Sequence, residues 1–343
     1  MRQTAESSLA TRSLSLWERV RVRAAVSNSL SLWERAGVRA AVSAVTLCLA
    51  TAACGPGIPG EIIATTEAFS QGLAQSEDRL FWFAGDKVYA LPKDGGEPET
   101  LADGQKALAL SVAGDEVCWV NRADDYAIRC APASGGEVRT LGSQPLEEYT
   151  VRAPAFDGQN LYWSTSGGRI RRVPLAGGEV TDVATVESQA STLVAEPGVL
   201  YASIPGGIVR IAEGATEPEQ IISGAVVTPT SLSLSNPPDD FLYWTEIGAR
   251  GDDGLILRGP KTPSGGDVAL LARRQTLPSQ LDVQDGVIWW ATGGGTDDIR
   301  RVPVDGGRVN DFASGDDKVG PPVVDGQSVY WIDQRGSVLR AAK

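Results

Sequence analysis

From Gly60 to the C-terminus, short apolar runs alternate with turn residues. In "DGQNLYWSTSGGRIRRVPLAGGEV", Asp157 to Val180, the run "LYWS" ends at a Gly-Gly turn. "RIRRVP" follows and ends near a second Gly-Gly. Short β-rich runs bounded by Gly, Asp and Pro read as antiparallel strands joined by hairpins. Gly-Gly pairs supply the positive φ that two-residue hairpin turns demand. No long stretch of helical periodicity competes in this region.

The unit recurs seven times, beginning at Asp78, Asp115, Asp157, Gly198, Asp239, Asp285 and Asp325. One aromatic column runs through it: Trp82, Trp119, Trp163, Trp244, Trp290 and Trp331, with Ala202 in the fourth copy. Successive members are 37, 44, 39, 42, 46 and 41 residues apart. A period near forty with strand-and-turn content predicts a propeller or a related array. Each unit holds four strands. Strand a precedes the Asp-Gly turn, strand b carries the Trp, strand c the "RRVP", and strand d follows the Gly-Gly. The seventh unit lacks strand d. "GEIIATT", Gly60 to Thr66, resembles the other d segments and is expected to complete it. The predicted fold is therefore all-β: a seven-bladed β-propeller of four-stranded antiparallel blades, closed by an N-terminal strand that removes an exposed edge.

The copies resemble YWTD-type and related bacterial propeller repeats, including the "YW…RVP…GG" repeats of myxobacterial secreted proteins. The resemblance covers residues 60–343. It implies the fold and an exported scaffold without an assigned activity. The repeats also resemble virginiamycin lyase-like propellers, whose activity relies on a His. This chain has none, which argues against that activity, against a Ser-His-Asp triad and against His-ligated zinc or iron.

Residues 1–53 stand apart as a leader. "SLSLWERVRVRAAVS" at Ser13 and "SLSLWERAGVRAAVS" at Ser29 are near-identical. They read either as an amphipathic basic segment or as a translated intergenic repeat preceding a later start. From Arg39, one basic residue, an apolar run and a small-residue site describe a secretory signal peptide. Thr51-Ala52-Ala53-Cys54 resembles a bacterial lipobox, with Thr51 where Leu is usual. Cys54 is the expected lipidation site, residues 54–59 a short tether, and the cell envelope (periplasm or outer membrane) the expected location. Membrane contact is then through the lipid alone. Cys118 and Cys130 flank the turn between strands b and c of the second copy. A three- or five-residue loop places them opposite each other. In an oxidising compartment they form a disulfide; the alternative is two buried thiols.

The chain holds 31 basic and 43 acidic residues. The leader takes seven Arg and three Glu, which leaves 24 basic against 40 acidic in the remainder. That excess argues against nucleic acid, which needs a basic surface, and a monomer is expected. Arg129, Arg171, Arg210, Arg258, Arg300 and Arg340 form a column on strand c, with Tyr89 in the first copy. Such a column either binds an anion or pairs with carboxylates in the frame.

Antiparallel alternation puts the b–c and d–a loops on one face and the short a–b and c–d turns on the other. The b–c/d–a face varies most, and binding concentrates on variable loops. Gln105, Gln144, Gln189 and Gln275, with Asp316 nearby in the sixth copy, recur where the chain enters strand a. They either meet a ligand at the channel mouth or tie the crossovers to backbone. Trp289, beside Trp290, points to the opposite face of its strand and is a candidate contact. Asp124, Asp125, Asp252, Asp253, Asp297 and Asp298 form pairs in b–c loops. They are candidate calcium ligands or solvated turn residues, and no other cofactor is expected. The primary functional expectation is a non-enzymatic lipoprotein that binds an envelope protein or a small ligand on the b–c/d–a face. The alternative is a calcium-dependent hydrolase of the lactonase type, for which Asp282 is the clearest channel carboxylate.

Overall fold

The structure, a computed structural model, describes residues 60–66, 70–123, 126–142, 154–215, 217–224, 229–263, 266–293, 298–313 and 319–343. They form seven antiparallel four-stranded blades in a ring. Blade 1 spans 70–102, blade 2 107–142, blade 3 155–185, blade 4 192–223, blade 5 231–275 and blade 6 282–313. Blade 7 takes Val323–Val324, Ser328–Ile332 and Ser337–Ala342, and its outer strand is Glu61–Thr65. Glu61 pairs with Arg340 and Thr65 with Ser337. The N-terminal closure predicted from sequence is thus the observed one.

The Trp column is buried throughout, with each ring at most 1% exposed. Each Trp packs against the preceding blade. Trp163 lies with Cys118 and Val120 of blade 2, and Trp82 with Tyr330 and Ile332 of blade 7. The residue before the Trp faces the following blade: Tyr162 packs against blade 4, Tyr243 against blade 6. Every junction therefore takes one side chain from each phase of strand b, as the two-residue period requires. Large aromatic rings of this kind contribute most of the apolar burial that holds blades together.

Two features differ from the sequence reading. The Gly-Gly pairs do have positive φ, as at Gly95 (94°) and Gly96 (132°). They do not close two-residue hairpins, however. A turn from Pro92 to Gly95 comes first, and strand d begins only at Glu99. The a–b connection of blade 5 is also no short turn. Its Ser235–Asn236 crosses over and pairs in parallel with Val283 and Gln284 of blade 6.

Candidate functional site

The aspartate at the a–b turn sets the local frame. Asp157 Oδ1 accepts the N–H groups of Gln159 (2.8 Å) and Asn160 (2.7 Å), and its Oδ2 accepts the Tyr162 hydroxyl at 2.6 Å. Asp325 does the same for Gln327, Ser328 and Tyr330. Burial opposes the charge on Asp157, but these donors outweigh it and hold the carboxyl below its ordinary value. Burial, and then the Asp157 partner, push the Tyr162 hydroxyl up to about 12. These side chains are structural clamps, and they occupy the face of short turns.

Register divides the arginine column into two sets. Arg129, Arg171 and Arg300 lie opposite Trp119, Trp163 and Trp290. Arg210, Arg258 and Arg340 lie opposite Tyr201, Tyr243 and Tyr330, on the other face of the blade. Arg172, opposite Tyr162, belongs with the second set. A slip of one residue moves a side chain across the sheet, so no single ring of arginines exists to bind an anion. The members pair within the frame instead: Arg171 with Asp182 (2.9 Å), Arg300 with Asp311 (2.9 Å) and Arg340 with Glu61 (2.7 Å).

Two of the entry glutamines tie crossovers. Gln105 Nε2 donates to the Asp103 carbonyl (2.8 Å), while its Oε1 accepts from Arg129 (2.8 Å). Gln275 repeats this with the Arg273 carbonyl (2.9 Å) and Arg300 (3.2 Å). Gln189 breaks the pattern because Val209 stands opposite the column residue Ala202, where an Arg stands opposite Trp119 and Trp290. Its Nε2 and the neighbouring Ser188 Oγ are buried without a hydrogen-bond partner among the described residues. Buried polar atoms normally find one. Gln144 and Asp316 lie outside the described residues.

Trp289 is not a surface contact. It is fully buried between blades 6 and 7, with Phe312 edge-on at 5.0 Å and the Arg301 guanidinium over its ring at 5.0 Å. Trp289 does face away from Trp290, and blade 7 covers that face. Asp253 Oδ1 accepts the Arg250 N–H (3.1 Å), Asp252 is exposed, and Asp298 pairs with Arg300 at 3.1 Å. Among the described residues these three do not converge. Asp124, Asp125, Asp297 and Cys54 lie outside the described residues. The trio that does converge is Glu116, Cys118 and Cys130, and its sulfurs are bonded to each other. Cys118 and Cys130 are in direct register across a five-residue loop, with Cα atoms 4.1 Å apart.

Asp282 stands on strand a of blade 6 and accepts the Val324 N–H of blade 7 at 2.7 Å. Gln75 of blade 1 donates to the Val324 carbonyl at 2.8 Å. The inner strand of the closing blade is thus held from both sides. Burial, against the opposing pull of its backbone donors, pushes Asp282 up to about 6. Sequence reasoning missed Glu246, which is buried at the end of strand b in blade 5. It accepts from the Trp244 indole N–H at 3.2 Å, and burial raises its pKa.

Cavities open on the described surface at two places that bear on the site. The larger, about 580 Å³, lies at the outer part of blade 7 by Gly60, Phe312, Ser328 and Ala342. The smaller, about 210 Å³, lies between blades 3 and 4 by Tyr162, Arg172, Leu200, Ile211 and Glu213. No family model matches the chain, and no curated protein does. Solved structures do. Virginiamycin B lyase from Staphylococcus aureus is similar with a TM-score of 0.64 at 14% identity, over 83% of this chain and 98% of that one. YCF48 bound to D1 peptide gives 0.61 at 16% identity, over 84% and 99%. A chain of the mitotic checkpoint complex gives 0.63 at 12% identity, over 84% and 93%. At such identities the likeness establishes one thing, the β-propeller fold.

Proposed function

We propose that this chain is a binding scaffold of the bacterial cell envelope and not an enzyme. In this reading it is exported, lipid-anchored through Cys54, and engages a protein partner or small ligand on its b–c/d–a face. The observation that carries it is the contrast among the entry glutamines. Gln105 and Gln275 are spent on the frame, whereas Gln189 and Ser188 offer buried polar atoms that nothing described satisfies. A ligand group at that crossover would complete them. Of the candidate residues, Gln105, Gln275, Asp253, Asp282 and Asp298 are bonded into the frame. The chain has no histidine, and the catalytically inactive form of the similar lyase is a histidine-to-alanine variant. The peptide held by YCF48 is a precedent for a propeller as a polypeptide reader. The buried disulfide suits an oxidising compartment.

The test is site-specific photocrosslinking in cells. Probes at Arg122 and Arg250, in b–c loops, should yield discrete adducts. Probes at Asp94 and Asp305, in c–d loops, should yield few. Adducts confined to the second pair would overturn the assignment of the face. Palmitate labelling that is lost in Cys54→Ser tests the anchor separately.

A further inference from the structure

Cations stitch six of the seven blade junctions on the a–b/c–d face. Arg340 of blade 7 donates to the Lys93 carbonyl of blade 1 (2.9 Å), and Arg79 of blade 1 to the Ala133 carbonyl of blade 2 (3.1 Å). Arg139 of blade 2 reaches the Leu175 carbonyl of blade 3 (2.5 Å), and Arg258 of blade 5 reaches Asp305 of blade 6 (3.0 Å). Lysines return the other way. Lys93 meets Asp325 (3.0 Å), Lys261 meets Glu196 (2.5 Å) and Lys343 meets Asp285 (2.8 Å). The junction of blades 3 and 4 has no such crossing among the described residues. Glu213 stands directly after strand c of blade 4, the place of Lys93 in blade 1 and Lys261 in blade 5. Arg172 shares the register of Arg258 and Arg340 but bonds within its own blade, to Thr181 at 3.3 Å.

The same junction lacks its tryptophan. Ala202 occupies the column position in blade 4, so no indole fills the space against blade 3. Ala202 itself is fully buried in the core, and the 210 Å³ groove opens at the same junction beside the a–b turn at Gly198 and Val199. Its walls include the apolar Leu200 and Ile211, and its rim carries Arg172 and Glu213. Two departures therefore fall at one junction: it lacks the ring and, among the described residues, any crossing cation, whereas each other junction has an arginine contact, a returning lysine or both.

We infer that the groove between blades 3 and 4 binds a short segment of a basic partner polypeptide, which supplies from outside what the other junctions supply from within. A peptide carbonyl takes the Arg172 guanidinium, as Lys93 and Ala133 carbonyls take theirs. An apolar side chain lies against Val183 and Val199, the half-buried apolar residues of the lining, with Leu200 and Ile211 buried behind them. A lysine of the partner sits beside Glu213. The chain's net charge of −12 favours encounter with a basic partner. This site lies on the face opposite the one assigned above and stands independently of that reading.

The probe is the capped tripeptide acetyl-Leu-Lys-Leu-amide, titrated into the full chain by calorimetry beside acetyl-Leu-Glu-Leu-amide. Saturable millimolar binding of the lysine peptide is expected, with the glutamate peptide about tenfold weaker or worse. Arg172→Ala and Glu213→Lys should each weaken the lysine peptide about tenfold, while Glu77→Ala, in the exposed a–b turn of blade 1, leaves it unchanged. Glu213→Lys gives blade 4 the lysine that blades 1, 5 and 7 carry after strand c, so its melting temperature should equal or exceed the parent's, which separates lost binding from misfolding. No binding at millimolar concentration, equal binding of both peptides, or indifference to the two groove variants would each overturn the inference.

Discussion

Cys118 and Cys130 are bonded at the register that Tyr162 and Arg172 hold in blade 3 and Tyr243 and Arg258 hold in blade 5. In those blades an aromatic body and a guanidinium face the next blade. In blade 2 a covalent cross-strand link does so, against Trp163. Both sulfurs are inaccessible to solvent, so the bond is structural.

Replacing both cysteines by alanine should lower stability by about 2–4 kcal/mol. The loop closed is short, at a sequence separation of 12, and the link acts chiefly on the unfolded chain. Guanidinium titration with and without a dithiol reductant checks this. Reductant should leave the native parent untouched and lower the midpoint only once unfolding exposes the bond. Identical midpoints for parent and double variant would mean that the sulfurs contribute packing alone.

Asp282 imposes a pH slope of the opposite sign to most carboxylates. Its folded pKa, about 6, lies above the ordinary value of 3.8. The folded state therefore binds the proton more tightly than the unfolded state does. Stability from this group is full below about pH 4 and declines as pH rises to about 6. Asp282→Asn keeps an oxygen for the Val324 N–H and removes the charge. It should raise stability at neutral pH by about 1–3 kcal/mol and be neutral near pH 4. A variant destabilised at neutral pH would show that the ionised carboxylate is favoured there.

The glutamines make a sharper comparison. Gln275→Ala should cost about 1–2 kcal/mol, because it strips an acceptor from Arg300 and a donor from the Arg273 carbonyl. Gln189→Ala removes no described bond and should change stability little or raise it slightly. Melting curves of the two variants decide the matter. Equal losses would mean that Gln189 is also part of the frame.

The ring of seven blades and its closure by residues 60–66 were legible in the sequence, because the Trp spacing and the orphan strand d both survive divergence. The disulfide was legible too, since Cys118 and Cys130 flank one loop of odd length. What sequence hid was phase. The b–c loops differ in length, so counting from the Trp does not say which face of strand c an arginine takes. Arg171 and Arg210 therefore looked equivalent while facing opposite neighbours. Trp289 was placed on the correct face, but only the packing of blade 7 shows that this face is interior. The Asp157 and Asp325 turns looked like bare scaffold because a hydrogen bond to a Tyr five residues on leaves no periodic trace. The junction of blades 3 and 4, beside which the smaller groove opens, had one sign, Ala202 in the column of Trp.

Those turn aspartates set the last expectation. Asp157 and Asp325 have folded pKa values below 3.8, held down against burial by Tyr162 and backbone donors in the first case and by backbone donors and Lys93 in the second. Their stabilisation is complete above the unfolded pKa and is lost as pH falls through the lower, folded one. Both groups are half-buried at the surface, where solvent screening limits each to no more than about 1 kcal/mol. Asp157→Asn and Asp325→Asn should each flatten the acid limb of the stability curve. Asp325→Asn should flatten it less as salt is added to the parent, because part of its shift comes from the Lys93 charge. Tyr162→Phe removes one donor to Asp157 and should return part of that carboxyl's pKa toward its ordinary value. Carboxyl carbon shifts followed through an acid titration read this directly, and an unmoved Asp157 would assign its depression to the Gln159 and Asn160 N–H groups alone.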